Sequence, residues 1–195
     1  FIYCATPSDV FRAFEVIDAN QLKATLVLPR DAYKLAGVLK ARKDLGPVVL
    51  DDDLVTWETD PETGAEERHV TPRILYDAGI RFALQAAEDG RDRGPAFSRE
   101  GETHLWYQAA LLVRHGVPRV EALKSITTTP ARILGLEHRL GTIESGKDGT
   151  VTVFSGDPLD ARSWVEQVFI EGRLVYRKDQ DRDLEMLLKD PEAKF

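Results

Sequence analysis

The sequence has a single cysteine and no long apolar run. Because Cys4 has no second cysteine to pair with, the chain cannot form an internal disulfide, and it has no Cys pair of the kind that binds structural zinc. A lone thiol is compatible with a reducing compartment, so we expect a cytoplasmic location. No apolar run approaches the roughly 20 residues that a membrane-spanning helix needs, so we expect no membrane partner.

Positive charge is in the minority. The chain has 26 Lys and Arg residues against 33 Asp and Glu residues, which gives a net charge of -7. Proteins that bind nucleic acid or anionic membranes cluster Lys and Arg on their surface, so we expect neither partner. The 195 residues are 43% hydrophobic and 30% charged, which is typical of a soluble globular protein with a buried core.

Short runs rich in β-branched and aromatic residues alternate with segments of helical periodicity in the first part of the chain. The pattern predicts strands at residues 1–5, 24–28, 48–50 and 80–86. These strands are almost continuously apolar, which is typical of parallel strands covered on both faces. The sequence therefore predicts an α/β fold.

Local signals place several helix ends and turns. Ser8 is predicted to cap the first helix, and Thr71 is predicted to cap a helix that Pro72 opens and Gly79 ends. Residues 51–68 are acidic and are predicted to form an exposed loop with a turn at Pro61 to Gly64.

The second part of the chain has a different organisation. Helices are predicted at 102–115 and 120–134, strands at 141–154 and 165–176, and a short amphipathic helix at 181–189. Gly116 is predicted to end the long helix, and Glu171-Gly172 is predicted to form a hairpin turn.

The closing region carries a resemblance to a known family. Residues 123–136 (LKSITTTPARILGL) and 141–148 (GTIESGKD) resemble the closing region of metal-dependent amidohydrolases related to imidazolonepropionase, and 151–159 (VTVFSGDPL) and 165–176 continue the match. In that family a (β/α)8 barrel stands beside a small β-sandwich built from both chain ends.

The resemblance implies a domain organisation. We expect the C-terminal half of a TIM-type barrel, with βα units five to eight and the following helices in 1–135, the C-terminal share of the sandwich in 136–178, and a helix or tail in 179–195. A complete barrel takes roughly 250 residues, and an open half would leave two unpaired apolar edges. We therefore expect an N-terminal half elsewhere, as upstream sequence, a partner chain or a second copy in a homo-oligomer.

The resemblance also implies one or two divalent metals, held by histidines after strands five and six and by an aspartate after strand eight. The metal would activate a water molecule and the aspartate would take its proton. In this sequence the corresponding positions fall near Ala5, Leu28 and Ala87, whose side chains cannot ligate a metal. We therefore expect no metal and no other cofactor in this chain.

A few polar residues remain as catalytic candidates. His104 follows the loop after the last predicted barrel strand, and such loops line the active sites of barrels. Glu88 or Asp89 would replace the lost aspartate by a shift of one or two residues, although a mixed-charge, solvated loop is the favoured interpretation of these residues. Cys4 is expected to be a buried, inert thiol because no base lies beside it in the sequence. His69, His115 and His138 are expected to be structural.

Two functions stay open. In the first, the protein is a catalytically degenerate amidohydrolase that keeps the scaffold for binding or assembly. In the second, it is an active hydrolase of C–N bonds in cyclic amides, and the N-terminal half supplies the ligands of a zinc ion.

Overall fold

Strands and helices alternate through the first two thirds of the chain, and strands dominate the rest. The protein is described by a computed structural model that covers residues 1–50, 53–86, 104–182 and 184–185. The strands are β1 (Ile2–Tyr3), β2 (Leu26–Leu28), β3 (Val48–Leu50), β4 (Val55–Thr59), β5 (Glu66–Val70), β6 (Phe82–Ala83), β7 (Val151–Phe154), β8 (Val165–Ile170) and β9 (Arg173–Arg177). The helices are α1 (Pro7–Asn20), α2 (Ala36–Ala41), α3 (Thr71–Asp77), α4 (Leu105–Arg114), α5 (Arg119–Ile126) and α6 (Thr128–Ile133).

Four short parallel strands form the central sheet, in the order β1-β2-β3-β6. Ile2 lies opposite Leu26, Val27 opposite Val49, and Val48 opposite Phe82. The prediction of four parallel strands is confirmed, although three of them are shorter than predicted. Since all four strands run in one direction, their carboxyl ends meet at one side, called the C-terminal edge below.

The hydrophobic core lies on and around this sheet. Alternate residues of β2 and β3 are fully buried, and the apolar faces of the surrounding helices pack against them. The principal core residues are Val10, Leu26, Leu28, Leu39, Val48, Leu50, Leu75 and Leu112. No helix of the described residues is long and apolar enough to cross a membrane.

Residues 55–70 form a β-hairpin, so the prediction of a loop through 51–68 was wrong. Strands β4 and β5 are antiparallel, with Val55 opposite Val70 and Thr59 opposite Glu66. The turn between them lies where it was predicted. The Asp60 carboxylate accepts hydrogen bonds from the next loop amides, of which the one on Glu62 is 2.8 Å away.

Two helix starts differ from the prediction by a residue or two. Helix α1 is capped by Thr6 rather than Ser8, and the Asp9 carboxylate accepts hydrogen bonds from the Thr6 amide and hydroxyl, both at 2.9 Å. Thr71 lies inside α3 rather than at its cap. Gly79 and Gly116 end their helices as predicted, with φ angles of +81° and +88°.

The second sheet is antiparallel, in the order β7-β8-β9. Its hairpin turn is the predicted Glu171-Gly172 pair, with φ angles of +49° and +75°. The Gly172 amide donates a hydrogen bond to the Gly149 carbonyl at 2.9 Å, and a Cβ at Gly149 would lie only 3.0 Å from the Gly172 backbone. Glycine is therefore needed at 149 for the close approach of the turn, whereas at 172 it is favoured by the positive φ angle.

Candidate functional site

The C-terminal edge of the parallel sheet is the first place to look for a site, because ligands of α/β folds bind beyond the carboxyl ends of parallel strands. Here that edge is apolar and closely packed. Leu28 at the end of β2 is 0% exposed, Leu50 at the end of β3 is 2% exposed, and Leu84 just after β6 is 6% exposed. Ala5, after β1, is exposed.

Cys4 lies directly after β1 and is fully buried. Burial, with a smaller contribution from Asp9, raises the pKa of its thiol. Its nearest hydrogen-bond acceptor is the Ile2 carbonyl, 3.9 Å from Sγ. A thiol whose pKa is raised is a poor nucleophile and a poor metal ligand at neutral pH, which agrees with the predicted inert role.

The β4–β5 hairpin is tied to the loop that follows β2. The Arg30 carbonyl accepts hydrogen bonds from the hydroxyls of Thr71 at 2.9 Å and Thr56 at 3.2 Å. The Thr71 amide also donates to the Leu54 carbonyl at 3.1 Å. The segments after β2 and β3 are thus held together across the C-terminal edge.

Five polar residues gather where the hairpin meets the turn after β2; they are Tyr33, Lys34, Glu58, Glu67 and His69, called the Tyr33 cluster below. The rings of Tyr33 and His69 stack with centroids 4.2 Å apart and planes 9° from parallel. Glu58 forms an ion pair with Lys34. Nε2 of His69 lies 3.6 Å from a Glu58 oxygen and 3.8 Å from a Glu67 oxygen.

Members of the Tyr33 cluster shift the pKa values of their neighbours. Burial, and after it the neighbouring Glu58, raises the pKa of Tyr33. The hydrogen bond from Lys34 lowers the pKa of Glu58, and the same contact raises the pKa of Lys34. Tyr33 Oη and His69 Nε2 are both buried and lack a hydrogen bond of good geometry to any described residue. The cluster contains acid–base groups, but Tyr33 Oη and His69 Nε2 are shielded from solvent.

The described residues of the C-terminal edge do not fit a divalent metal. Cys4 is a buried thiol, Leu28 is apolar, and nowhere in the described ranges is a group of three or more His, Cys, Asp or Glu side chains arranged to hold a metal ion. Ala87 lies outside those ranges. The expected lack of a metal in this chain stays a prediction.

The other predicted catalytic candidates are not brought together by the described structure. His104 is exposed at the start of α4, stacks on Trp106 at 6.0 Å between ring centroids, and accepts hydrogen bonds from two helix amides through its carbonyl. Glu88 and Asp89 lie outside the described residues, so their proposed role is not tested.

The remaining histidines have ordinary surroundings. His115 ends α4, and its Nδ1 lies 2.9 Å from the Arg68 guanidinium. Partial burial, and then the charges of Arg68 and Arg114, lower the pKa of His115. His138 is exposed.

The Tyr33 cluster was missed from the sequence because its members come from three separate segments. The available signal was the β-branched alternation of residues 55–59, which carries Glu58, followed by the Asp60-to-Gly64 turn. Interpreted as a hairpin, that signal would have placed Glu58 and His69 on neighbouring strands.

Comparisons with known proteins agree with the resemblance found in the closing region. The sequence profile of the Amidohydrolase family matches residues 97–176. Amidohydrolase tasK of Hapsidospora irregularis is 35% identical over 100 residues, which cover 51% of this chain and 9% of that protein. Adenine deaminase 1 of Carboxydothermus hydrogenoformans is 36% identical over 75 residues, which cover 38% of this chain and 12% of that protein.

A solved structure extends the likeness to nearly the whole chain. The crystal structure of an amidohydrolase from Thermotoga maritima MSB8 is 32% identical and superposes with a TM-score of 0.68 over 90% of this chain. That match covers 43% of the Thermotoga maritima protein, so this chain spans less than half the length of the relatives it matches. In its sequence and its fold, the chain is therefore similar to proteins of the amidohydrolase superfamily.

Proposed function

We propose that this chain is the C-terminal part of a catalytically degenerate amidohydrolase, which keeps the hydrolase scaffold for binding or assembly. The observation that carries the proposal is the apolar packing at the C-terminal edge. The position after β2, where the family resemblance implies a histidine, is held by Leu28 with no exposed surface. A metal-bound water would be hard to accommodate beside a fully buried leucine, because both the ion and the water need polar partners.

The same proposal includes a half barrel. The order β1-β2-β3-β6 follows the chain, all neighbours are parallel, and helices connect the strands, as expected for four consecutive units of a (β/α)8 barrel. We assign these units and their following helices to 1–135, a share of a β-sandwich to 136–178, and a tail to 179–195. Phe1, just before the outer strand β1, and Tyr3, within it, are 72% and 55% exposed, which supports a neighbour at that edge.

Metal content and turnover test the degenerate function together. The purified protein is dialysed with and without zinc, its metal content is measured by inductively coupled plasma mass spectrometry, and hydrolysis of a panel of cyclic amides is assayed in both states. We expect far less than one metal per chain and no turnover in either state. Stoichiometric metal, together with turnover that a chelator abolishes, would contradict the proposal.

Native mass spectrometry tests the missing half. A chain that carries only half a barrel should be detected in complex with a second polypeptide or a second copy, because the β1 edge needs a neighbouring strand to pair with. If upstream sequence supplies the other half, the intact protein is a monomer and limited proteolysis leaves the two halves associated. A half that stays monomeric and folded on its own would contradict the half-barrel assignment.

A second candidate is an active metal-dependent hydrolase of C–N bonds. It is favoured by the 32% identity to an amidohydrolase over 90% of the chain, which is more than shared fold alone requires. In that case the N-terminal half would supply most of the zinc ligands, and Glu88 or Asp89 would replace the aspartate. Glu88→Gln and Asp89→Asn variants of a zinc-loaded, active preparation would then lose turnover, whereas the degenerate protein offers no turnover to lose.

A further inference from the structure

A basic pocket lies at the opposite side of the parallel sheet from the Tyr33 cluster. The loops that lead into β3 and β6 meet there, because Val48 and Phe82 are the paired first residues of those strands. The pocket has a volume of about 200 Å³. Four cationic side chains line it, contributed by Lys40, Arg42, Lys43 and Arg81, and no carboxylate is among its lining residues.

One of the four cations is already neutralised. Arg42 binds Asp18, with one nitrogen–oxygen distance of 2.9 Å, and Asp44 at 3.1 Å, and its guanidinium lies over the Phe14 ring. It is therefore held rigidly as one wall of the pocket.

The side chains of Lys40, Lys43 and Arg81 make no ion pair with the residues that the structure describes. On the far side of Arg81, Glu121 is engaged by Lys124 at 2.7 Å. All three residues line the same pocket, in a chain whose net charge is -7.

Helix ends do not account for all of this charge. Helices α2 and α3 end at this side of the sheet, and a helix C-terminus carries at most about half a negative charge. Two helix ends and the two aspartates that bind Arg42 offset about three of the four positive charges. Roughly one positive charge is left in excess, and Lys43 and Arg81 both lie outside the helices.

We propose that this pocket binds a small anion that carries a phosphate group. A phosphate has several acceptor oxygens, which suit the fork of Arg81 and the flexible ammonium groups of two lysines. The pocket is large enough for a phosphate monoester, and its lining is more polar than apolar. Because it lies away from the C-terminal edge, this binding is independent of the proposed degenerate function and would survive if that function were wrong.

Phosphate titration with charge-matched variants tests the site. Inorganic phosphate is titrated into the purified protein at low ionic strength, where screening is weak, and binding is followed by calorimetry. The variant Lys43→Ala/Arg81→Ala should weaken binding at least about tenfold, since each residue loses a charge-assisted hydrogen bond. The control Lys23→Ala/Arg132→Ala removes the same charge from exposed residues that do not line the pocket and should change the dissociation constant less than about twofold.

Three results would overturn the proposal. The first is no saturable phosphate binding by the unmodified protein. The second is an equal loss in both double variants, which would show a general charge effect. The third is binding to vesicles that contain phosphatidic acid without binding to inorganic phosphate, since that would indicate a membrane surface rather than a small ligand. Circular dichroism of both variants confirms that they remain folded.

Discussion

The parallel-sheet region and the β7–β9 sheet differ sharply in how they are stabilised. Every described residue that is buried lies at or before Ala131, and the described residues beyond it are only partly buried or exposed. Yet the family profile matches 97–176, which includes all but the last residue of the β7–β9 sheet. In the β7–β9 sheet the similarity to the family therefore rests on turns and strand pattern. The buried core of the described structure lies in the parallel-sheet region.

Replacing one leucine in each region tests this difference and gives the largest expected effect. Leu26→Ala, at a position with no exposed surface, should lower the free energy of unfolding by about 2–5 kcal/mol because it leaves a cavity in a packed core. Leu174→Ala, at a position 45% exposed, should cost less than about 1 kcal/mol. Urea denaturation followed by circular dichroism measures both. A comparable loss at Leu174 would show that another part of the assembly covers the β7–β9 sheet.

The hairpin that joins the two sides of the C-terminal edge should show an intermediate effect. Thr71→Val keeps the side-chain shape but removes the buried donor to the Arg30 carbonyl, and it should cost about 1–2 kcal/mol. The matched variant Thr56→Val removes the longer bond at 3.2 Å from a less buried residue, so its cost should be smaller. Urea denaturation ranks the two, and amide hydrogen exchange locates the change. The reverse order would mean that the hydrogen bond of Thr56 to the Arg30 carbonyl, not that of Thr71, contributes more to stability.

Because of Tyr33, the stability of the parallel-sheet region should fall as the pH becomes alkaline. Its pKa is raised, first by burial and then by Glu58, so the folded protein keeps the phenol proton at a pH where the unfolded chain loses it. The contribution is full below the unfolded pKa of about 10 and is lost as pH rises through the folded value. Urea midpoints measured between about pH 9 and about pH 11 should fall more steeply for the unmodified protein than for Tyr33→Phe. Parallel curves would show that the phenol is not buried in solution.

Asp160, before β8, should show the smallest effect on stability because it is only partly buried and its partner Arg162 is exposed. Hydrogen bonds from the Arg162 side chain and backbone lower the pKa of Asp160 to about 2. Its contribution is present above the ordinary aspartate pKa and is lost as pH falls through the folded value, but solvent screens it. Carbon-detected NMR titration should give a pKa of about 2, and Arg162→Gln should raise it. An unchanged value would leave the ion pair without a role in solution.

Much of the fold could be predicted from local signals. The strand β3 and the Glu171-Gly172 turn were placed correctly, because a short apolar run and a glycine at positive φ act through nearest neighbours. Ser8 was chosen as a cap although Pro7 fits the first helical position and makes Thr6 the better choice. Thr71 looked like a cap, but its hydroxyl binds a carbonyl 41 residues away in sequence, and no local pattern reports such a contact.

The candidate site was harder to predict than the fold. The apolar nature of Leu28 was visible in the sequence, and its complete burial agrees with a packed edge. The Tyr33 cluster was missed because residues 55–70 are rich in charge and were interpreted as an exposed stretch, in spite of the short β-branched alternation at 55–59. The stacking of His69 on Tyr33 depends on how the segments after β2 and β3 pack against each other, which is a tertiary property.

The order of the parallel sheet has a consequence for synthesis on the ribosome. Each new strand of the sheet pairs with the previous strand of that sheet, and a hairpin whose two strands pair with each other is made between β3 and β6. Pairings between segments close in sequence form faster than distant ones, and domains fold from their N-terminal side as they emerge. The nascent chain can therefore add strands one at a time, and the segment after β6, the last strand added, is then tied to α5 by the hydrogen bond from the Leu84 amide to the Ser125 carbonyl at 3.1 Å.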